Sequence, residues 1–216
     1  MSSRVQFIAI NAIVVAALMV LVETLYFASL RPSYSHISNT ISELGETGAP
    51  HAEQVAFGFF LPVGLLVWLA LWLVCREASD RHATFALVAI ACLGAGYVAA
   101  AFFPCDPGAP LFGTWRTQIH NVVGFIDYAG TGIGFLLISR HFAGRDATFQ
   151  AVAFLVAGLL VLMCVALLSV VATFPFRGAI QRIAEVIQFA GVFFVCYLLP
   201  RQITPNTALE PTPTAP

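Results

Sequence analysis

Phe7-Ile-Ala-Ile-Asn-Ala-Ile-Val-Val-Ala-Ala-Leu-Met-Val-Leu-Val-Glu-Thr-Leu-Tyr-Phe-Ala-Ser29 decides how many times this chain crosses a membrane. A bilayer needs about 20 apolar residues per helical crossing. The run is that long. A short polar start with Arg4 precedes it, as in a secretory signal. It differs from a signal peptide in its length, in lacking a small-x-small cleavage site, and in carrying Glu23. It is therefore expected to be a retained first span.

Five further runs follow at 55–75, 83–103, 119–139, 149–171 and 182–199. The composition agrees. Charged residues make up 10% of the chain, against about 25% in a soluble domain. The expected fold is all-α: a polytopic bundle of six transmembrane helices forming one domain over 1–200. A disordered Pro/Thr-rich tail is expected over 201–216. The net charge of -1, with no basic arm or basic helix, excludes a nucleic-acid partner.

The five cysteines form no CxxC or Cys/His pattern, so no zinc site, cluster or other cofactor is expected. His36, His51, His120, Asp106 and Asp127 come from separate segments and lack a metal-ligand spacing. Small residues recur at close-packing intervals: Ala91, Ala95 and Ala99, then Gly96 and Ala100, then Gly130 and Gly134. Gly130-Thr-Gly-Ile-Gly134 lies inside an apolar span with no strand before it. It therefore serves packing rather than phosphate binding. Pro62 is expected to kink the second span.

The densest polar stretch is Tyr34-Ser-His-Ile-Ser-Asn-Thr-Ile-Ser-Glu-Leu-Gly-Glu-Thr-Gly-Ala-Pro50, in the first loop. Thr40-Ile-Ser-Glu43 has the spacing of a capping box ahead of a short helix, with Gly45 at its end. With six spans, loops 1, 3 and 5 share one side. Arg4, Arg76, Arg81, Arg140, Arg145 and Arg201 lie on the other side, against Arg31, Arg116, Arg177 and Arg182 on the loop-1 side. Six against four favours cytoplasmic termini.

Polar groups at membrane depth are few. Glu23 lies roughly 9 Å from the end of its helix and Asp127 roughly 10 Å from His120, at 1.5 Å per residue. Glu185 lies one turn inside the last span. All three fall in the loop-1 half. A charged group facing mid-bilayer lipid costs about 2.5–3.5 kcal/mol, so they are expected to face the bundle interior. Arg116, His120, Gly124 and Asp127 share a helical face, as do Gln181, Glu185 and Gln188. With Glu23 they are expected to enclose a polar chamber under loop 1. Asp127, His120 and Glu23 are the candidate catalytic groups. Ser42, Glu43, Asp106, Arg116, Arg182 and Glu185 are the candidate substrate-binding groups. A nucleophile from Ser35, Ser38 or Ser42 with His120 as base is one arrangement these residues allow.

Tyr34-Ser-x-x-Ser-Asn-Thr-Ile-Ser-Glu-Leu-Gly45, Gly48-Ala-Pro50, Phe103-Pro-x-Asp106, His120-Asn121 and Gly178-x-x-Gln-Arg182 together resemble the domain of unknown function 998 family. The resemblance extends to about Leu199. It implies a six-span prokaryotic membrane protein and no established activity. The Ile-Ser-x-x-Gly block and the first-loop proline are more loosely similar to the FGF-receptor-activating-gene, DRAM and Sfk group. Some members of that group are tied to lipid remodelling. Three functions stay open at this level. One is binding or modifying a lipid or amphiphile. The others are an accessory role beside a membrane protein or a second copy of the chain, and proton-coupled transport.

Overall fold

The computed structural model describes residues 2–78, 80–170 and 175–203. The tail expected beyond Ile203 lies outside them. The described residues form helices and loops, and six helices are long and apolar enough to cross a membrane. They are α1 (Ser3–Ser29), α2 (Ala52–Cys75), α3 (Arg81–Phe102), α4 (Trp115–Ala143), α5 (Thr148–Val170) and α6 (Arg177–Ile203).

Most helices outrun the apolar runs that announce them. α4 begins at Trp115 and α6 at Arg177, ahead of their apolar runs, because a polar first turn is low in hydropathy and still forms helix. Each helix packs on the next, and α6 returns to α1 to close the ring. α6 also touches α2 and α4 across the bundle. It is the most buried span, with 56% of its apolar window covered, against 28% for α1. α6 is therefore the most enclosed of the six helices, and α1 the most exposed.

The irregularities in the helices have local causes. Pro62 has no N–H to return to the preceding turn. The helix accommodates it with a widened turn over Ala56–Phe60. α3 is interrupted at Ala91, and the indole of Trp68 donates to the Ala91 carbonyl at 2.9 Å. Pro200 sits inside α6 and cannot bond to the Cys196 carbonyl four residues back. Gln6 of α1 supplies the missing donor. Its Nε2 reaches Tyr197 O at 2.8 Å and Cys196 O at 3.3 Å, tying α1 to α6 far from loop 1.

The glycine run of α4 is a two-sided packing surface. A Cβ on Gly134 would come within 2.4 Å of Ile90 and 2.9 Å of the Ala86 carbonyl, both on α3. One on Gly132 would come within 2.8 Å of Leu162 on α5. By contrast, Gly124 faces open space. Gly134→Leu is therefore expected to destabilise the bundle by about 1–3 kcal/mol or more, through overpacking. Gly124→Ala should leave stability unchanged or slightly raised. Thermal unfolding of both variants in detergent checks this, and equal loss in the two would contradict it.

Candidate functional site

Loop 1 is fastened to the start of α6. The guanidinium of Arg182 sends Nη1 to the carbonyls of Asn39 at 2.8 Å, His36 at 2.9 Å and Gly178 at 3.0 Å. Its Nη2 donates to the Tyr34 hydroxyl at 2.7 Å. That hydroxyl donates in turn to the Thr40 carbonyl at 2.7 Å. Burial, opposed by Arg182, pushes the Tyr34 phenol up to about 12, so it keeps the proton it donates. Gly178 permits the approach, since a Cβ there would lie 2.3 Å from Asn39 O. The Ala179 amide donates to Ile37 O at 2.9 Å, so loop 1 satisfies one of the free N–H groups at the α6 N-terminus.

Arg177 joins this cap to loop 3. It donates to Ser38 O at 3.3 Å, Gly108 O at 2.6 Å and Ala109 O at 3.2 Å, and pairs with the Glu43 carboxylate at 2.5 Å. Glu46 accepts from Arg31 at 2.7 Å and from the Gly108 amide at 2.6 Å. The short helix Ile41–Gly45 carries both halves of the capping box expected from Thr40 and Glu43.

Beneath this cap two small cavities adjoin. One of about 80 Å³ is lined by Ser42, Tyr97, His120, Asp127, Gln181 and Glu185, among others. A second, of about 150 Å³, shares Ser42, His120, Gly124, Tyr128 and Gln181 with it. Glu185 accepts from the hydroxyls of Tyr97 and Tyr128, each at 2.7 Å. Asp127 accepts from Gln188 Nε2 at 2.9 Å and occupies the slot left by Gly96, where a Cβ would lie 2.1 Å from its carboxylate. His120 Nδ1 lies 2.9 Å from the Phe103 carbonyl. A carbonyl only accepts, so Nδ1 carries the hydrogen and Nε2 carries the ring's lone pair. Glu23 is fully buried on α1, and neither of its oxygens has a partner among the described residues. Glu23 and Asp127 both lie near Glu185.

The structure thus brings together Ser42, His120, Asp127, Gln181, Glu185 and Gln188, with Glu23 near Glu185. It does not bring Arg116, Asp106 or Glu43 to the cavities. α4 starts earlier than its apolar run, so Arg116 falls on the first, exposed turn and lies over the Trp115 ring at 5.5 Å. Asp106 holds loop 3 by accepting from Thr114 N at 2.7 Å and Thr114 Oγ1 at 3.0 Å. The bond from Thr114 N draws its carboxyl below the ordinary value. Glu43 is spent inside the cap, on Thr40 N at 2.8 Å, Asn39 at 2.6 Å and Arg177. Cys105 is buried and its thiol is pushed up to about 12 by that burial, so it stays protonated at neutral pH. It donates to the Ser42 carbonyl at 3.7 Å. All five cysteines are free thiols.

Tyr97 and Tyr128 were not singled out from the sequence. Their signal was available: a phenol inside an apolar span needs a partner for its hydroxyl. Each also directly follows a site residue, Gly96 or Asp127.

On the membrane side of this site, a groove of about 640 Å³ runs between α1 and α6. Leu18, Leu21, Phe189 and Phe193 are among its apolar lining, and His36, Arg182 and Glu185 stand at its loop-1 end. Ile41 and Glu185 line both the groove and the smaller cavity, so they form the wall between them.

The domain of unknown function 998 family (DUF998, protein of unknown function) matches residues 13–198. The chain belongs to this family. No curated protein and no solved structure matches it. The loop-1 cap, the cavities and the α1–α6 groove all lie within the part of the chain that the DUF998 match spans.

The cap carries its own acid sensitivity. Burial alone would raise the Glu43 carboxyl. The Thr40 amide, Asn39 and Arg177 together overcome that and hold it below its ordinary value of 4.5. A depressed carboxyl adds stability above the unfolded value and loses it as pH falls through the folded one. The protection of loop-1 amides, measured relative to their intrinsic exchange rate at each pH, is therefore expected to hold above pH 4.5 and to fall at lower pH. In Glu43→Gln that acid step should vanish. An acid step of the same size in the variant would contradict the assignment.

Proposed function

We propose that this integral membrane protein binds an amphiphile whose apolar chain lies in the α1–α6 groove and whose polar end meets Arg182 and the cavities under loop 1. The observation that carries this reading is the shared wall. A lipid-facing apolar groove and a polar chamber meet at Ile41 and Glu185. The groove runs along α1 from Ile13 to Leu25, roughly 18 Å at 1.5 Å per residue. Half of a bilayer's hydrocarbon core is about 15 Å. A chain from the loop-1-side leaflet fits that length and enters sideways. At the loop-1 end the Arg182 guanidinium pairs with no carboxylate among the described residues, which favours an anionic head group.

The six-against-four placement of arginines supports cytoplasmic termini, a multi-pass position in the cell membrane, and a groove in the outer leaflet. A second reading has its own support. The bonds from Tyr97 and Tyr128 to Glu185 tie α3 and α4 to α6. A side-chain network of that kind also suits an accessory subunit that only needs to be rigid. Transport finds less support, because Ala9, Val67, Phe135 and Val192 pack the opposite half of the bundle with apolar side chains.

Native mass spectrometry of protein released from lipid nanodiscs tests the binding reading. Wild type is expected to retain about one amphiphile per chain. Leu18→Trp, which fills the groove from an exposed position, is expected to lose most of it without loss of helix content or thermal stability. Retention unchanged by the substitution, or none in wild type, would favour the accessory role.

A further inference from the structure

We infer that Ser42 and His120 form a nucleophile–base pair that cleaves a carboxylic ester of a long-chain amphiphile held in the groove; this rests on the binding reading above. Each of the cavities under loop 1 is lined by both residues, which therefore stand where the two cavities join. Both have an uncommitted reactive atom. Ser42 is half-buried, and its hydroxyl makes no hydrogen bond among the described residues. The hydrogen bond to Phe103 O consumes His120 Nδ1 and leaves Nε2 as the basic nitrogen.

The other polar groups around the chamber are more fully committed. Both oxygens of Glu185 accept tyrosine hydroxyls, and Asp127 accepts from Gln188. Among the first-loop serines, Ser35 accepts from the Ile37 amide at 3.3 Å, and the Ser38 carbonyl serves Arg177. Neither lines the cavities under loop 1.

Ser42 is also held unusually firmly for a loop residue. The preceding amide, of Ile41, donates to Gln181 Oε1 at 2.6 Å. Its own carbonyl accepts from Cys105, and the next residue, Glu43, is fixed by Asn39, Thr40 and Arg177. Fixing a reacting group within the geometry it needs is most of what a scaffold contributes. The Gln181 amide gives its oxygen to Ile41 and one N–H to the Tyr128 hydroxyl, and its second N–H is the donor assigned to the developing oxyanion. Ile41, which separates groove from chamber, lies on the same short helix as Ser42. An ester passing over it arrives at the hydroxyl.

The chemistry balances without a cofactor. Ser42 Oγ attacks the ester carbonyl carbon while His120 Nε2 takes its proton. The ester C–O bond breaks, and the departing alkoxide takes that proton from His120. Water then attacks the acyl-Ser42 carbonyl, giving its proton to Nε2. The Ser42 Oγ–acyl bond breaks, Oγ recovers the proton, and the fatty acid leaves.

The full chain in lipid nanodiscs, treated with an alkyl fluorophosphonate and followed by intact mass and peptide mapping, tests this. Wild type is expected to gain one phosphonyl adduct at Ser42, and Ser42→Ala none. His120→Asn keeps a side-chain N–H for Phe103 O and removes the base, and should label about 10²-fold more slowly or worse. Thermal unfolding and the retained lipid count confirm that both variants are folded. A wild type that stays unlabelled at saturating probe, labels at another residue, or labels equally fast as His120→Asn would overturn the pair. If the retained lipid is unchanged in any of these cases, the binding reading stands and the ester chemistry alone falls.

Discussion

Two arginines at the start of α6 hold the loop-1 half of this protein together. Arg182 gathers the carbonyls of loop 1, and Arg177 joins loop 1 to loop 3 and to Glu43. A guanidinium offers five donors in a fixed plane, so it can satisfy several carbonyls that would otherwise need water. Without these bonds the polar loop would have no reason to lie over an apolar bundle. With them, it becomes the roof of a chamber whose walls are α3, α4 and α6. Gly178 is the steric counterpart of that clamp, because only a residue without a Cβ lets the loop backbone come so near.

The chamber below inherits its form from membrane constraints. Carboxyls and phenols in hydrocarbon must find partners, and in this bundle many of them find one another. Two tyrosines from different helices converge on Glu185, which unites packing and polar satisfaction at one carboxylate. Glu23 breaks that pattern. It is buried with no partner among the described residues, on the helix that borders the groove, so one unsatisfied carboxyl stands at the boundary between α1 and α6. That boundary also faces the lipid.

Much of this was legible in the sequence. The six apolar runs, the capping box at Thr40 and Glu43, and the convergence of Asp127, His120 and Glu185 all follow from spacing and from the cost of polar groups in lipid. The limits were equally physical. Hydropathy marks the apolar middle of a helix and not its polar ends, so Arg116 was placed on the chamber face when it belongs to an exposed first turn. Charge type does not reveal commitment, so Glu43 and Asp106 read as ligand-binding groups although cap and loop bonds consume them. A tyrosine counts as apolar in the periodicity that defines a span, so Tyr97 and Tyr128 do not stand out in the sequence. The groove could not be foreseen, since it depends on how closely α1 approaches α6, which Gln6 and the carbonyls freed near Pro200 help to set.

The most direct test of the central claim is a cryo-electron microscopy map of the protein in lipid nanodiscs. The account predicts elongated density along the α1–α6 groove, ending in a head group at Arg182 beside the Ile41–Glu185 wall. A groove filled by the protein's own side chains or by a neighbouring chain, with no such density, would contradict it.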